Sequence, residues 1–192
     1  MKRKIFIYLF DGYADWEIAY LAPELNKSKN HDLIYVSESG NAVTSMGGLQ
    51  VKPSTSLNEI KLEEIALLIL PGGEIWEKEP PVGIQKLLKE VDHSKKSIAA
   101  ICAATTFLGK SGMLDDLRHT SNDLNYLKEI AGEYKGENYY QHALAITDKN
   151  IITANGIAPI EFAREVFKKV NLYDDETLEK WFQLFKNGIW KE

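Results

Sequence analysis

Short apolar runs alternate with longer amphipathic runs along most of the chain. The short runs, which predict strands, cover residues 4–9, 33–36, 66–70, 97–101 and 150–153. Several of them are apolar on both faces, which is typical of parallel strands because crossover helices cover both sides of such a sheet. The pattern therefore predicts a buried sheet whose strands run mostly parallel.

The longer runs repeat their apolar residues at helical spacing. They predict helices over residues 15–26, 82–91, 103–111, 121–131 and 159–170. Asp15, Ser121 and Pro159 are suitable residues for helix starts. Residues 42–44 and 49–52 flank a Gly-Gly pair and predict a small hairpin. Strands and helices that alternate in this way predict a doubly wound α/β fold.

A last helix is predicted over residues 175–186. An apolar stripe runs along one of its faces and is formed by Leu178, Trp181, Phe182 and Phe185. Asn187 and Gly188 follow it as a natural stop. The stripe has two interpretations that the sequence does not separate, which are packing on its own domain and contact with a second subunit.

Length and composition limit the class of protein. With 192 residues, 44% of them hydrophobic, the chain suits one domain over residues 1–192 with an aromatic C-terminal helix at about 171–192. A net charge of -5 provides no basic surface for phosphates, so no nucleic-acid partner is expected. The apolar run over residues 5–10 is too short for a signal peptide or a membrane span. A single cysteine excludes a disulfide framework, and the protein is expected in the cytoplasm without a membrane partner.

The single cysteine, Cys102, follows the strand over residues 97–101 and leads directly into helix-forming residues. Its neighbours are small, as they must be when a side chain stands on a sharp strand-to-helix turn of the nucleophile-elbow type. At the head of a helix the free N–H groups stabilise a thiolate, so a lowered thiol pKa is expected. The alternative is a buried, inert thiol.

Two other strand ends point to the same crevice, because the carboxyl ends of parallel strands meet at one edge of the sheet. Glu17 follows the first strand, and Gly72-Gly73 follows the third. A carboxyl group held beside a thiolate has a raised pKa and, when protonated, donates a hydrogen bond to the sulfur. Glycine N–H groups approach an oxyanion freely. The alternatives are a solvated acid and an ordinary turn.

Four histidines are candidates for the proton carrier, namely His31, His93, His119 and His142. We select His119 because it lies in a polar loop that follows the elbow helix and can fold back over the crevice. The alternative is a surface histidine. The sequence has neither metal-ligand spacing nor a dinucleotide-binding glycine motif, so no cofactor and no metal are expected.

Several fragments occur in a characteristic order: Asp11-Gly12 followed by Glu17, residues 43–48, Leu70-Pro71-Gly72-Gly73, Ala100 and Cys102, His119-Thr120-Ser121, and residues 156–163. This order resembles the ThiJ/PfpI superfamily, or DJ-1/PfpI family, of class I glutamine amidotransferase-like proteins. The resemblance implies a flavodoxin-like three-layer α/β/α sandwich with a mostly parallel sheet and a nucleophile elbow.

The resemblance also implies roles for individual residues. Cys102 matches the family's nucleophile, Glu17 its buried acid, and His119 its downstream histidine. Gly73 and Ala103 match the backbone donors beside the sulfur. Homodimers and small-molecule substrates are common in the family, so both are expected here.

One departure from the family bears on the reaction. PfpI-type peptidases carry a histidine directly after the elbow cysteine, whereas this chain has Ala103. The first hypothesis is therefore a cysteine-dependent hydrolase or glyoxalase-type enzyme, of the glyoxalase, deglycase or amidase kind, that acts on a small electrophilic carbonyl or amide. The alternatives are an intracellular PfpI-type cysteine peptidase and a non-catalytic, oxidation-sensing stress-response protein.

Overall fold

The structure is a computed structural model that describes residues 3–190, so the outermost two residues at each end of the expected domain lie outside it. Its strands are Arg3–Tyr8 (β1), His31–Ser37 (β2), Val43–Thr44 (β3), Gln50–Val51 (β4), Thr55–Ser56 (β5), Ile65–Leu70 (β6), Ser97–Ile101 (β7), Ala145–Asp148 (β8) and Ile151–Ala154 (β9). Its helices are Leu21–Asn26 (α1), Val82–His93 (α2), Ala104–Lys110 (α3), Leu124–Ile130 (α4), Pro159–Lys169 (α5) and Asp175–Asn187 (α6).

The described residues form a seven-stranded sheet in the order β5-β2-β1-β6-β7-β9-β8. Every neighbouring pair is parallel except β8 with β9. Helices flank this sheet, and the predicted flavodoxin-like three-layer α/β/α fold is confirmed. The predicted small hairpin is also present, as β3 and β4.

All five predicted strands occur within one or two residues of their expected bounds, because their apolar runs fill the core. Strands β5 and β8 were not predicted. Strand β5 has only two residues, and β8 is an antiparallel edge strand whose residues are half-buried. Neither provides the continuous apolar run by which buried parallel strands are recognised.

The prediction of one helix over residues 15–26 is wrong. A 3-10 turn at Asp15–Glu17 is followed by a short helix, α1, that begins only at Leu21. Pro23 explains the late start. Proline has no N–H to donate to the residue four positions earlier, and its ring clashes with the carbonyl group of that residue in a helix. Similarly, the N-cap of α4 is Asp123 and not Ser121, whose hydroxyl is 2.7 Å from that of buried Thr105.

The C-terminal helix packs on its own domain through the predicted stripe. Leu178 and Trp181 are buried, and the Trp181 ring lies 4.8 Å from that of Phe167 in α5, centroid to centroid. Phe185, farther along the stripe, remains partly exposed beside Tyr20. No helix among residues 3–190 has the length and apolar character needed to span a membrane.

Candidate active site

Cys102 stands on a sharp turn between β7 and α3. Its backbone is left-handed, with φ of 60°, which is unusual for a residue other than glycine and is typical of strained functional positions. Its N–H donates to Ala154 O at the end of β9, and its carbonyl accepts from the Thr105 N–H. These bonds fix the turn and leave the half-buried side chain at the carboxyl edge of the sheet.

The Glu17 carboxyl group lies next to this cysteine and is fully buried. Its Oε2 accepts a 2.6 Å hydrogen bond from the Gly72 N–H, while Oε1 has no partner within hydrogen-bonding geometry among residues 3–190. Gly72 lies between the two side chains. A Cβ there would be 2.7 Å from Cys102 Cβ and 2.9 Å from each Glu17 oxygen, so only glycine allows this approach.

Burial sets the pKa of both groups. Removal from water raises the pKa of Glu17 to about 7, against a smaller lowering by the Gly72 N–H and the Cys102 thiol. Burial, and then the charge of Glu17, raise the pKa of Cys102 to about 11. The expected lowering of the thiol pKa is therefore wrong in direction. Loss of water around the sulfur outweighs the donors that point at it.

Two N–H donors act on the sulfur. Asn122 Nδ2 lies 3.3 Å from Cys102 Sγ, and the Ala103 N–H also favours the thiolate. Gly73, the other expected backbone donor, has φ of 153°, and its N–H meets no acceptor among residues 3–190. Its position requires glycine, because a Cβ would lie 2.6 Å from the Phe10 ring.

His119 does not hydrogen-bond to the sulfur. Its ring is fully buried, with Nδ1 2.7 Å from Leu117 O and Nε2 2.5 Å from Tyr134 Oη. Since a carbonyl only accepts, Nδ1 carries the proton and Nε2 accepts from the Tyr134 hydroxyl. Burial lowers the pKa of His119, which favours this neutral ring. Both ring nitrogens are therefore occupied away from Cys102, and His119 is not the surface histidine of the alternative interpretation either.

Sequence reasoning missed Asn122 and Gly156 as site residues. Gly156 lies so close that a Cβ on it would be 2.8 Å from Cys102 Sγ, and its N–H donates to Asn122 Oδ1 at 2.9 Å. The available signals were the position of Asn122 directly after His119-Thr120-Ser121 and the place of Gly156 at the start of a matched segment. Neither signal indicates contact with the sulfur.

Aromatic side chains flank the approach to the site. Trp16 is partly exposed, and its indole N–H lies 3.5 Å from Gly156 O. Tyr126 of α4 donates a 2.7 Å hydrogen bond to Glu77, and the charge of Cys102 contributes to the raised pKa of this tyrosine. A separate cleft of about 680 Å³, lined in part by Phe10 and Glu74, adjoins the glycine turn but does not include the sulfur. No cluster of metal-ligating side chains occurs in the part of the chain that the structure describes.

Comparisons with known proteins identify the family of the chain. The family model described as "DJ-1/PfpI family" matches residues 3–169. "Uncharacterized protease YoaZ" of Bacillus subtilis is 40% identical over 194 aligned positions, covering 96% of this chain and 91% of that protein. The crystal structure of a thiJ/pfpI family protein from Bacillus anthracis has a TM-score of 0.89 at 40% identity, with 98% of this chain and 92% of that one covered.

More distant relatives have other names. "Glutathione-independent glyoxalase DJR-1.2" of Caenorhabditis elegans is 30% identical over 136 positions, covering 70% of each chain. Proteins of Thermococcus kodakarensis and Pyrococcus abyssi named deglycases are 29% and 27% identical, each over 62% of this chain. Enzyme activity is thus ascribed to several relatives, with different reactions. The extent of the family match, together with the fold and the elbow cysteine, shows that this chain belongs to the DJ-1/PfpI family.

Proposed function

We propose that the protein is a cofactor-independent enzyme that uses the Cys102 sulfur to attack a small electrophilic carbonyl or amide, with 2-oxoaldehydes as the preferred class. The observation that carries this proposal is the buried carboxyl of Glu17 beside the sulfur, with a pKa raised to about 7. A group with this pKa exchanges protons readily at neutral pH, as a general acid or base must. It serves the thiol, whose own pKa is too high to supply much thiolate.

The first step joins Cys102 Sγ to the aldehyde carbon. As the bond forms, the thiol proton passes to the Glu17 carboxylate and the carbonyl electron pair moves to oxygen, which then takes the proton back to give a hemithioacetal. We assign the transient oxyanion to two backbone donors. One is the Gly73 N–H, which meets no acceptor among residues 3–190, and the other is the Ala103 N–H, which is released from the sulfur as the new bond to carbon forms.

The second step needs no external oxidant. Glu17 takes the carbon-bound proton of the hemithioacetal and returns it to the neighbouring carbonyl carbon, while the hydroxyl proton of the hemithioacetal passes to the oxygen of that neighbouring carbonyl. The aldehyde carbon is thereby oxidised to a thioester while its neighbour is reduced to an alcohol. Water then cleaves the thioester, which releases a 2-hydroxy acid and restores the thiol.

The surroundings of the sulfur favour this chemistry over peptide hydrolysis. Cysteine peptidases protonate the departing amine of a peptide through an imidazole that is paired with the cysteine. Ala103 occupies the position of the peptidase histidine, and both nitrogens of His119 are engaged elsewhere.

Substrate screening of wild-type protein and Cys102→Ser tests the proposal. Wild type is expected to convert methylglyoxal to lactate, followed by loss of the dicarbonyl and by chiral chromatography, while Cys102→Ser falls to the background rate. Parallel assays use an amide and a protein substrate. Turnover that survives in Cys102→Ser would contradict the mechanism. A wild type without turnover that gains about 32 Da at Cys102 in mild peroxide would instead favour the sensor.

The proposal also places the protein in the reducing cytoplasm, where a free thiol is maintained. The homodimer that the family resemblance implies stays a prediction. Sedimentation equilibrium at micromolar concentration measures it directly, with a mass of twice the 21.8 kDa chain as the expected result.

A further inference from the structure

We propose that Asn122 is a catalytic residue, whose side-chain amide is a fixed and uncharged hydrogen-bond donor to the Cys102 sulfur. The role rests on the proposed function, because it is exercised when the thiol loses its proton to Glu17. It assigns to an amide the place beside the sulfur that sequence reasoning gave to His119.

The orientation of the amide follows from its two partners. Asn122 Oδ1 accepts the 2.9 Å hydrogen bond from the Gly156 N–H, and Nδ2 lies 3.3 Å from Cys102 Sγ. A backbone N–H only donates, so the oxygen end of the amide must face Gly156. The NH₂ end is therefore held towards the sulfur.

The loop after β9 also holds the backbone of Asn122. Asn155 Nδ2 donates to Asn122 O at 2.8 Å, and Asn155 Oδ1 accepts from the Ile157 N–H at 3.0 Å. Space around the amide is limited, since a Cβ at Gly156 would lie 3.3 Å from Asn122 Oδ1 as well as 2.8 Å from Sγ. These contacts pre-organise the donor before any substrate arrives.

An amide suits this position because it does not titrate. It donates to the sulfur at every pH, whereas an imidazole stops donating from one nitrogen when it loses a proton. Among residues 3–190, Glu17, on the turn after β1, is the ionisable group that shifts the pKa of Cys102. The charge of Cys102 in turn affects the pKa of Tyr126 on α4, whose hydroxyl group is paired with Glu77. A hydrogen bond to the charged sulfur favours the thiolate.

Alkylation of Cys102 by iodoacetamide, measured from pH 6 to 10, tests the role of Asn122 independently of any substrate. Asn122→Asp keeps the shape of the side chain but replaces the donor with a negatively charged acceptor. The expected result is an alkylation rate about tenfold below that of wild type from pH 6 to 10, which corresponds to a rise of about one unit in a thiol pKa that lies above this range. Asn125→Asp introduces the same charge at an exposed position of α4 and should alkylate within about twofold of wild type.

Asn122→Ala serves as the second variant if circular dichroism shows that Asn122→Asp does not fold. Its Cys102 alkylation rate should also lie below that of wild type, by a smaller factor than for Asn122→Asp. An alkylation profile equal to that of wild type in the folded variant would overturn the role of Asn122. Failure of the proposed function has a different signature, in which wild type turns over no carbonyl while the alkylation difference persists. If both hold, turnover by Asn122→Asp falls in parallel with its alkylation rate.

Discussion

Glu17 is completely buried, and among residues 3–190 its carboxyl group accepts one hydrogen bond from a nitrogen, the backbone N–H of Gly72. A carboxyl in such surroundings favours its neutral form, which is why its pKa lies near 7 and not near 4.5. The same rise in the pKa of Glu17 that suits it to carry protons also links the stability of the fold to pH.

Replacement of Glu17 by glutamine should make stability less sensitive to pH. Because the folded state raises the pKa of Glu17, its neutral carboxyl contributes stability below pH 4.5, and this is lost as pH rises through 7. The loss reaches about 3 kcal/mol by pH 8. The free energy of unfolding, measured in urea at pH 5 and pH 8, should therefore fall less with rising pH for Glu17→Gln than for wild type. Exposed Glu129→Gln is the control, and parallel behaviour of all three proteins would contradict the prediction.

At the residue scale, the sequence was informative where a motif coincides with a strand end. Cys102 and Glu17 could be found because each follows a buried strand, and parallel strand ends converge. The role of His119 stays a prediction, and a polar loop sequence does not reveal that its ring lies buried against Tyr134. Asn122 could not be found because its contact with the sulfur depends on the loop after β9, which is distant in sequence.

At the scale of elements, apolar periodicity located the strands and most helices, and it failed where a single residue overrides the pattern. The helix expected from Asp15 is interrupted because Pro23 cannot lie beyond the first turn of a helix. The interruption affects the site directly. Glu17 lies in the resulting 3-10 turn, from which its side chain reaches Gly72 and Cys102.

The helix α6 should contribute stability and not chemistry. Trp181 is almost fully buried between the rings of Phe167 and Phe185, at 4.8 and 4.9 Å between centroids. Trp181→Ala is expected to lower the free energy of unfolding by about 3 kcal/mol, measured by urea denaturation. Trp190→Ala, at a side chain that is 74% exposed, should change it little. An equal effect of both substitutions, or altered Cys102 alkylation in the folded Trp181 variant, would contradict this view.

For the whole molecule, the order of the strands decides where the chemistry occurs. β1, β6 and β7 are consecutive neighbours in the sheet, so the loops that follow them bring Glu17, Gly73 and Cys102 to one edge although they are far apart in sequence. The fold class could be predicted because alternating strands and helices allow few topologies. The pKa values of the site could not, since they depend on how completely the assembled layers exclude water.

The hydrophobic core is continuous from β1 to α6. We therefore expect the chain to unfold in a single cooperative transition, including the C-terminal helix that lies beyond the family match. Far-ultraviolet circular dichroism, tryptophan fluorescence and exposure of Cys102 to a thiol reagent should give the same midpoint in urea. An earlier fluorescence transition, from loss of the Trp181 contacts alone, would show α6 to be a separate unit.

The left-handed backbone of Cys102 implies that the stability of the fold is reduced at the position that carries the reactive group. A side chain with a Cβ in this conformation raises the free energy of the folded state by about 1 to 2 kcal/mol, and glycine would avoid that penalty. Selection for stability of the folded state alone would therefore favour glycine at position 102, with no change in the path of the backbone. A cysteine at this position is therefore what the proposed use of its sulfur in the reaction would require.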